Sequence, residues 1–142
     1  STLSSSSAAS DVYKRQVRYV RLSALLQEIA LARVDGSYGT LLARLSKADL
    51  LILDDFGLTP LSLADARELL EIIDDRYEQR STVVCSQLPL GEWHRAIADP
   101  TLADAVLDRL VHGAHKFTLS GESMRKKKGG PASNKTGKDA TL

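Results

Sequence analysis

Along the chain, short apolar runs alternate with stretches in which apolar residues recur every three or four positions, from Val17 to about residue 119. Val17 to Arg21 reads as a short strand. Ser23 caps a helix that runs through about Val34, with Leu25, Leu26, Ile29 and Ala30 on one face, and Asp35-Gly36-Ser37 stops it. A second helix, Tyr38 to about Ser46, leads through Asp49 to Leu50-Leu51-Ile52-Leu53, an uninterrupted apolar run of the kind buried on both faces of a sheet. Ser62 with Asp65 makes a capping box for a helix reaching Glu78 or Gln79, with Leu69, Leu70, Ile73 and Tyr77 facing inward. Thr82 to Cys85 is the next buried strand, and a short helix spans about Glu92 to Ala98. Asp99-Pro100 supplies the N-cap and first position of a helix to about His112, and Lys116 to Leu119 gives a last strand. Strands alternating with amphipathic helices predict an α/β domain with a largely parallel sheet.

Length and charge narrow this picture. At 142 residues and 43% hydrophobic, the chain has room for one domain with a core and not for two. The net charge of +1 conceals a split: residues 17–125 hold 12 Lys+Arg against 16 Asp+Glu, whereas 126–142 hold five Lys against one Asp. The domain is therefore 17–125, mildly acidic, followed by a basic tail at 126–142 whose Lys/Gly/Ser/Asn composition reads as disordered. Residues 1–16 are Ser/Ala-rich and without helical or strand period. Ser6 to Gln16 resembles the in-frame translation of an adapter used to tag DNA libraries, which makes it a scar joined to an interrupted gene; a natural disordered leader is the alternative, and neither contributes to a core. The single cysteine, Cys85, excludes an internal disulfide framework and fits a reducing compartment. No apolar run approaches the roughly 18 residues of a membrane span, so no membrane is expected and the cytoplasm is the expected location.

The residues that carry chemistry are Asp54 and Asp55. An apolar strand ending in two acids puts carboxylates at the carboxyl edge of a parallel sheet, where α/β folds bind ligands. Nucleotide hydrolysis requires one carboxylate to hold Mg²⁺ and another to orient the attacking water; Asp54 suits the first role and Asp55 the second, with Asp55 also near the metal. A plain Asp-Asp-x-Gly turn is the alternative. His94, His112 and His115 lack metal-ligand spacing with any cysteine pair, and Trp93 and Tyr77 read as packing aromatics.

Beyond that strand, the order of motifs resembles an AAA+ module of the DnaC and IstB type, a P-loop NTPase with a three-layer αβα fold. Leu50 to Gly57 resembles its Walker B segment, Val83-Val84-Cys85-Ser86-Gln87-Leu88-Pro89 its sensor-one strand and turn, Asp108 to His112 its arginine-finger segment, and Gly121 to Arg125 its sensor-two end. Phrases such as Asp75-Arg76-Tyr77-Glu78 and Glu92-Trp93 point to the IstB-like helpers of DNA transposition. The resemblance implies ATP and Mg²⁺ as ligands. It assigns Ser86 or Gln87 to the γ-phosphate or the hydrolytic water, Arg109 to a phosphate on a neighbouring subunit, and Arg125 to the nucleotide. Their structural alternatives are a turn-capping amide for Gln87, a helix arginine paired with Asp104 or Asp108 for Arg109, and a solvated tail for Arg125. One departure is the aspartate at 55, where many AAA+ proteins carry glutamate.

The implied function is selection of target DNA and its delivery to a transposase, with double-stranded DNA, a transposase and further copies of the chain as partners. A helicase loader of the DnaC kind and a nucleotide-independent interaction domain are the competing readings. No Gly-x-x-x-x-Gly-Lys-Ser/Thr occurs in the chain, so this fragment is expected not to hydrolyse ATP alone. In the resembled fold the phosphate-loop strand lies between the sensor-one strand and the last one. The sheet is accordingly expected to have three strands, from 17–21, 50–54 and 81–86, with Lys116 to Leu119 detached or mispaired.

Overall fold

The computed structural model describes residues 15–121. Its elements are β1 (Val17–Arg21), α1 (Leu22–Asp35), α2 (Tyr38–Lys47), β2 (Leu50–Asp54), α3 (Leu63–Arg76), β3 (Ser81–Val84) and α4 (Pro100–Val111), with single 3₁₀ turns at Leu90–Glu92 and His94–Ala96. The strands form one parallel sheet in the order β1-β2-β3. Val17 pairs with Leu50 and Arg21 with Asp54; on the other side Leu50 pairs with Ser81 and Leu53 with Val84. Lys116 to Leu119 forms no strand, and Phe117 and Leu119 stand 86% and 95% exposed. The three-stranded sheet and the detached final segment match the expectation from sequence.

The core gathers Leu22, Leu25 and Ile29 of α1, Leu41 and Leu45 of α2, Leu51 and Leu53 of β2, Leu69, Ile72 and Ile73 of α3, and Ala103 and Val106 of α4. β2 is buried on one face only, contrary to expectation: Leu51 and Leu53 are covered, while Leu50 and Ile52 are half-buried. Alternation along a strand sends Val17, Tyr19, Ile52 and Val83 to the opposite face, which the described residues leave open.

Several boundaries differ from those read in the sequence, each for a local reason. The N-cap of α1 is Arg21, without a side-chain cap, and Ser23 sits inside the first turn. β1 runs straight into the helix so that Leu22 can be buried, which also moves the buried stripe to Leu22, Leu25, Ile29 and Ala32 and leaves Ala30 exposed. Gly36 ends α1 in the left-handed conformation, as expected. Ser62 Oγ accepts the Asp65 N–H at 3.2 Å and caps α3. That helix stops at Arg76, short of Glu78, because Arg76 turns inward and Glu78 takes a positive φ of 59°; Tyr77 is consequently 41% exposed and does not face inward. The helix expected over Glu92 to Ala98 is two 3₁₀ turns. A parallel bridge of Ile97 to Leu61, with Leu61 N donating to Ala96 O at 2.7 Å, pulls the chain into an extended conformation before a helix can form. Asp99 Oδ1 then accepts the Leu102 N–H at 2.8 Å and starts α4.

Candidate functional site

The acid pair sits where β2, the central strand, leaves the sheet. Asp54 is the last strand residue and lies opposite Arg21. Its Oδ1 accepts the Asp55 N–H at 2.8 Å, and its Oδ2 accepts the Tyr19 hydroxyl from β1. That hydrogen bond, with lesser contributions from desolvation and the charge of Asp54, holds the Tyr19 phenol above the ordinary tyrosine value. Asp55 has a φ of 58°, and its Oδ2 lies 3.7 Å from Arg21 Nε. Among non-glycine residues Asp is one of the few that tolerate left-handed backbone.

The turn after the acids is held by the next strand. Cys85 N donates to Leu53 O at 2.8 Å, and Phe56 N donates to Cys85 O at 2.9 Å. Ser86 Oγ donates to Phe56 O at 2.6 Å and accepts the Leu88 N–H at 3.0 Å. Phe56 packs on Trp93 with ring centroids 4.7 Å apart, and Trp93 Nε1 donates to Leu88 O. Gly57, at φ 77°, is required both by its backbone and by space, since a Cβ there would lie 2.6 Å from Leu88 Cδ1. Beside Asp55 an open cleft of about 400 Å³ runs between the start of α1 and the following loop, lined by Leu22, Ser23, Gln27, Gly57, Thr59 and Asp65. The Cys85 thiol is pushed up, chiefly by burial and further by the charges of Asp54 and Asp55.

Of the residues singled out in the sequence, Asp54, Asp55 and Ser86 come together at this edge, although the Ser86 hydroxyl is committed to bracing the turn. Gln87 follows on the same turn and is exposed. Arg109 is elsewhere: on α4 it forms an ion pair with Asp74 of α3 and donates to Ala105 O at 3.0 Å, a partner other than Asp104 or Asp108. Arg125 lies outside the described residues. Tyr19 and Arg21 were not picked out from sequence. The signal was present in the alternation of Val17-Arg18-Tyr19-Val20-Arg21, which puts both on one face, but their partners are fixed only by the β1–β2 register.

Comparison with known proteins settles the family. The IstB-like ATP binding protein family matches residues 7–132. The chain belongs to that family. The IstB-like match begins inside the segment read as a leader. An insertion sequence ATP-binding protein of Sinorhizobium fredii is 54% identical over 112 residues, covering 79% of this chain and 46% of its own length. The IS232 ATP-binding protein of Bacillus thuringiensis subsp. berliner is 34% identical over 107 residues, covering 75% and 43%. This IstB-like chain thus spans less than half the length of these relatives. Among solved structures, AMPPCP-bound DnaA from Aquifex aeolicus superposes with a TM-score of 0.57 at 15% identity, over 68% of this chain and 30% of DnaA. A DNA replication initiation factor gives 0.54 at 15% identity, over 73% and 32%. The likeness is one of fold: an α/β arrangement with a three-stranded parallel sheet, similar to part of DnaA.

Proposed function

We propose that this chain carries the acid-bearing part of an ATP-driven helper of DNA transposition, which selects target DNA and delivers it to a transposase. The observation that carries the reading is the Asp54-Asp55 pair on the rim of the central parallel strand, in a family described as ATP-binding whose relatives bear insertion-sequence names. Those names favour transposition over helicase loading.

The side chains suit a magnesium–nucleotide complex. Mg²⁺ is held by one or two carboxylates together with substrate phosphates and water, and not by an all-protein cage. The described residues offer such a pair and contain no cluster of three or more His, Cys, Asp or Glu able to hold a metal. Asp54 would hold the cation, with Asp55 adjacent to it. When bound, Mg²⁺–ATP supplies the transferable phosphoryl group with part of its charge neutralised. Asp55 orients the attacking water and takes up its proton, and Gln87, on the exposed turn, donates to the γ-phosphate. Arg109, half-buried on α4 and paired with Asp74, would exchange that partner for the nucleotide of a neighbouring copy, which makes the assembly a homo-oligomer joined at its ATP sites. Arg125 adds a further phosphate contact. Double-stranded DNA and a transposase are the partners.

The test uses the full-length protein that carries this chain, assayed for ATP turnover. Asp54→Ala is expected to abolish turnover, and Arg109→Ala to lower it at least about tenfold in the assembled state only. Unaltered turnover in both variants discards the scheme. A full-length protein that binds no ATP would instead support a nucleotide-independent interaction domain.

A further inference from the structure

The acids at the sheet rim have counterparts on β1. Arg21 lies opposite Asp54, and Tyr19 lies opposite Ile52, two residues earlier on β2. Strand alternation puts Tyr19, Arg21, Ile52 and Asp54 on one face, and a diagonal neighbour on a sheet face is within reach of an aromatic side chain. The Tyr19 hydroxyl makes that diagonal and donates to Asp54 Oδ2, while the Asp55 N–H donates to Oδ1. The final torsion of an aspartate is soft, with a broad preference and no staggered wells. A donor on each oxygen fixes it. Among the described residues the Tyr19 ring is 57% exposed on the open face. Its hydroxyl, by contrast, has a defined partner.

We propose that Tyr19 is a positioning residue for Asp54, its hydroxyl holding the carboxylate in the orientation that receives the divalent cation of a bound nucleotide. The inference rests on the assignment of the acid pair made above. Residues that orient a metal ligand from behind typically change metal affinity by about 10- to 100-fold when removed, and an exposed bond of this kind belongs at the lower end.

The measurement is Mn²⁺ affinity in the presence of ADP, followed by electron paramagnetic resonance on the full-length protein, alongside ATP turnover as a function of Mg²⁺. Tyr19→Phe removes the hydroxyl and keeps the ring. It is expected to weaken Mn²⁺ binding about tenfold and to raise the Mg²⁺ needed for half-maximal turnover by a similar factor. The KM for ATP at saturating Mg²⁺ should stay within about twofold, and the melting temperature should not move. In the 142-residue chain alone, the amide resonance of Asp55 is expected to shift on Tyr19→Phe, because its acceptor is no longer held. Mn²⁺ affinity that is unchanged or tighter in Tyr19→Phe, while Asp54→Asn weakens it, overturns the positioning role and leaves the acid pair standing. Unchanged affinity in Asp54→Asn removes the acid-pair assignment itself, and the role of Tyr19 with it.

Discussion

Arg76 is 1% exposed, and its guanidinium donates to the backbone carbonyls of Leu45, Ala48 and Ser81 and to Thr82 Oγ1. Burial lowers its pKa, with the nearby Arg80 charge adding to the effect and Asp49 opposing it. The side chain therefore joins the end of α2 to the start of β3. Arg76→Met is expected to cost on the order of 3 kcal/mol, since it strands several buried acceptors. Arg76→Lys should recover little of that, because a point charge cannot reproduce the planar fork; urea denaturation of the two variants checks both statements. Gly57 admits a cleaner separation of causes. Gly57→Ala should destabilise by about 1–3 kcal/mol through clash and positive φ together, and adding Leu88→Ala should relieve only the clash. At Cys85 desolvation is the larger cause of the raised thiol pKa and the two acids the smaller, so Asp54→Asn combined with Asp55→Asn is expected to speed its alkylation at pH 8 only modestly; a slower rate would contradict the contribution assigned to the acids.

At the level of elements, α3 and α4 each carry a side-chain cap on their first turn. Ser62→Ala and Asp99→Ala each remove a side-chain acceptor from a first turn and are expected to cost about 1 kcal/mol apiece, additively, in thermal or urea unfolding. These two caps were legible in the sequence because their chemistry is local: the acceptor and the N–H it satisfies are three residues apart. The end of α3 was not. Arg76 and Tyr77 fit the helical period equally well, and the apolar residue is the natural choice for the interior. Two of the partners that draw Arg76 inside, the carbonyls of Leu45 and Ala48, lie 31 and 28 residues away in sequence, beyond the reach of any periodicity. The 3₁₀ turns before α4 were hidden for the same reason, being dictated by the Leu61–Ile97 bridge. For the site, the two acids and the turn behind them could be read directly, whereas Tyr19, Arg21 and the Asp74 partner of Arg109 depend on register and helix packing.

For the molecule as a whole, the parallel sheet is covered on one side by its helices and open on the other within the described residues, where Val17, Tyr19 and Val83 are exposed. Parallel sheets are ordinarily covered on both faces, and uncovered apolar area of this sort drives association. The isolated 142-residue chain is expected to self-associate with increasing concentration in sedimentation experiments. Val83→Lys should shift it toward monomer, and an unchanged distribution would assign the association to another surface. The left-handed backbone at Asp55 has a different consequence for the molecule. Glycine at that position would remove a left-handed cost that is small for an aspartate and add about 0.5–1 kcal/mol of its own entropy, at the loss of the carboxylate. A mutational screen scored on cellular abundance would therefore place Asp55→Gly close to the parent sequence, and on the function proposed above the same library scored on ATP turnover of the full-length protein would place it near the bottom. On the function proposed above, copies of the gene released from selection for activity should lose this acid freely, and its retention would mark a copy still under that selection.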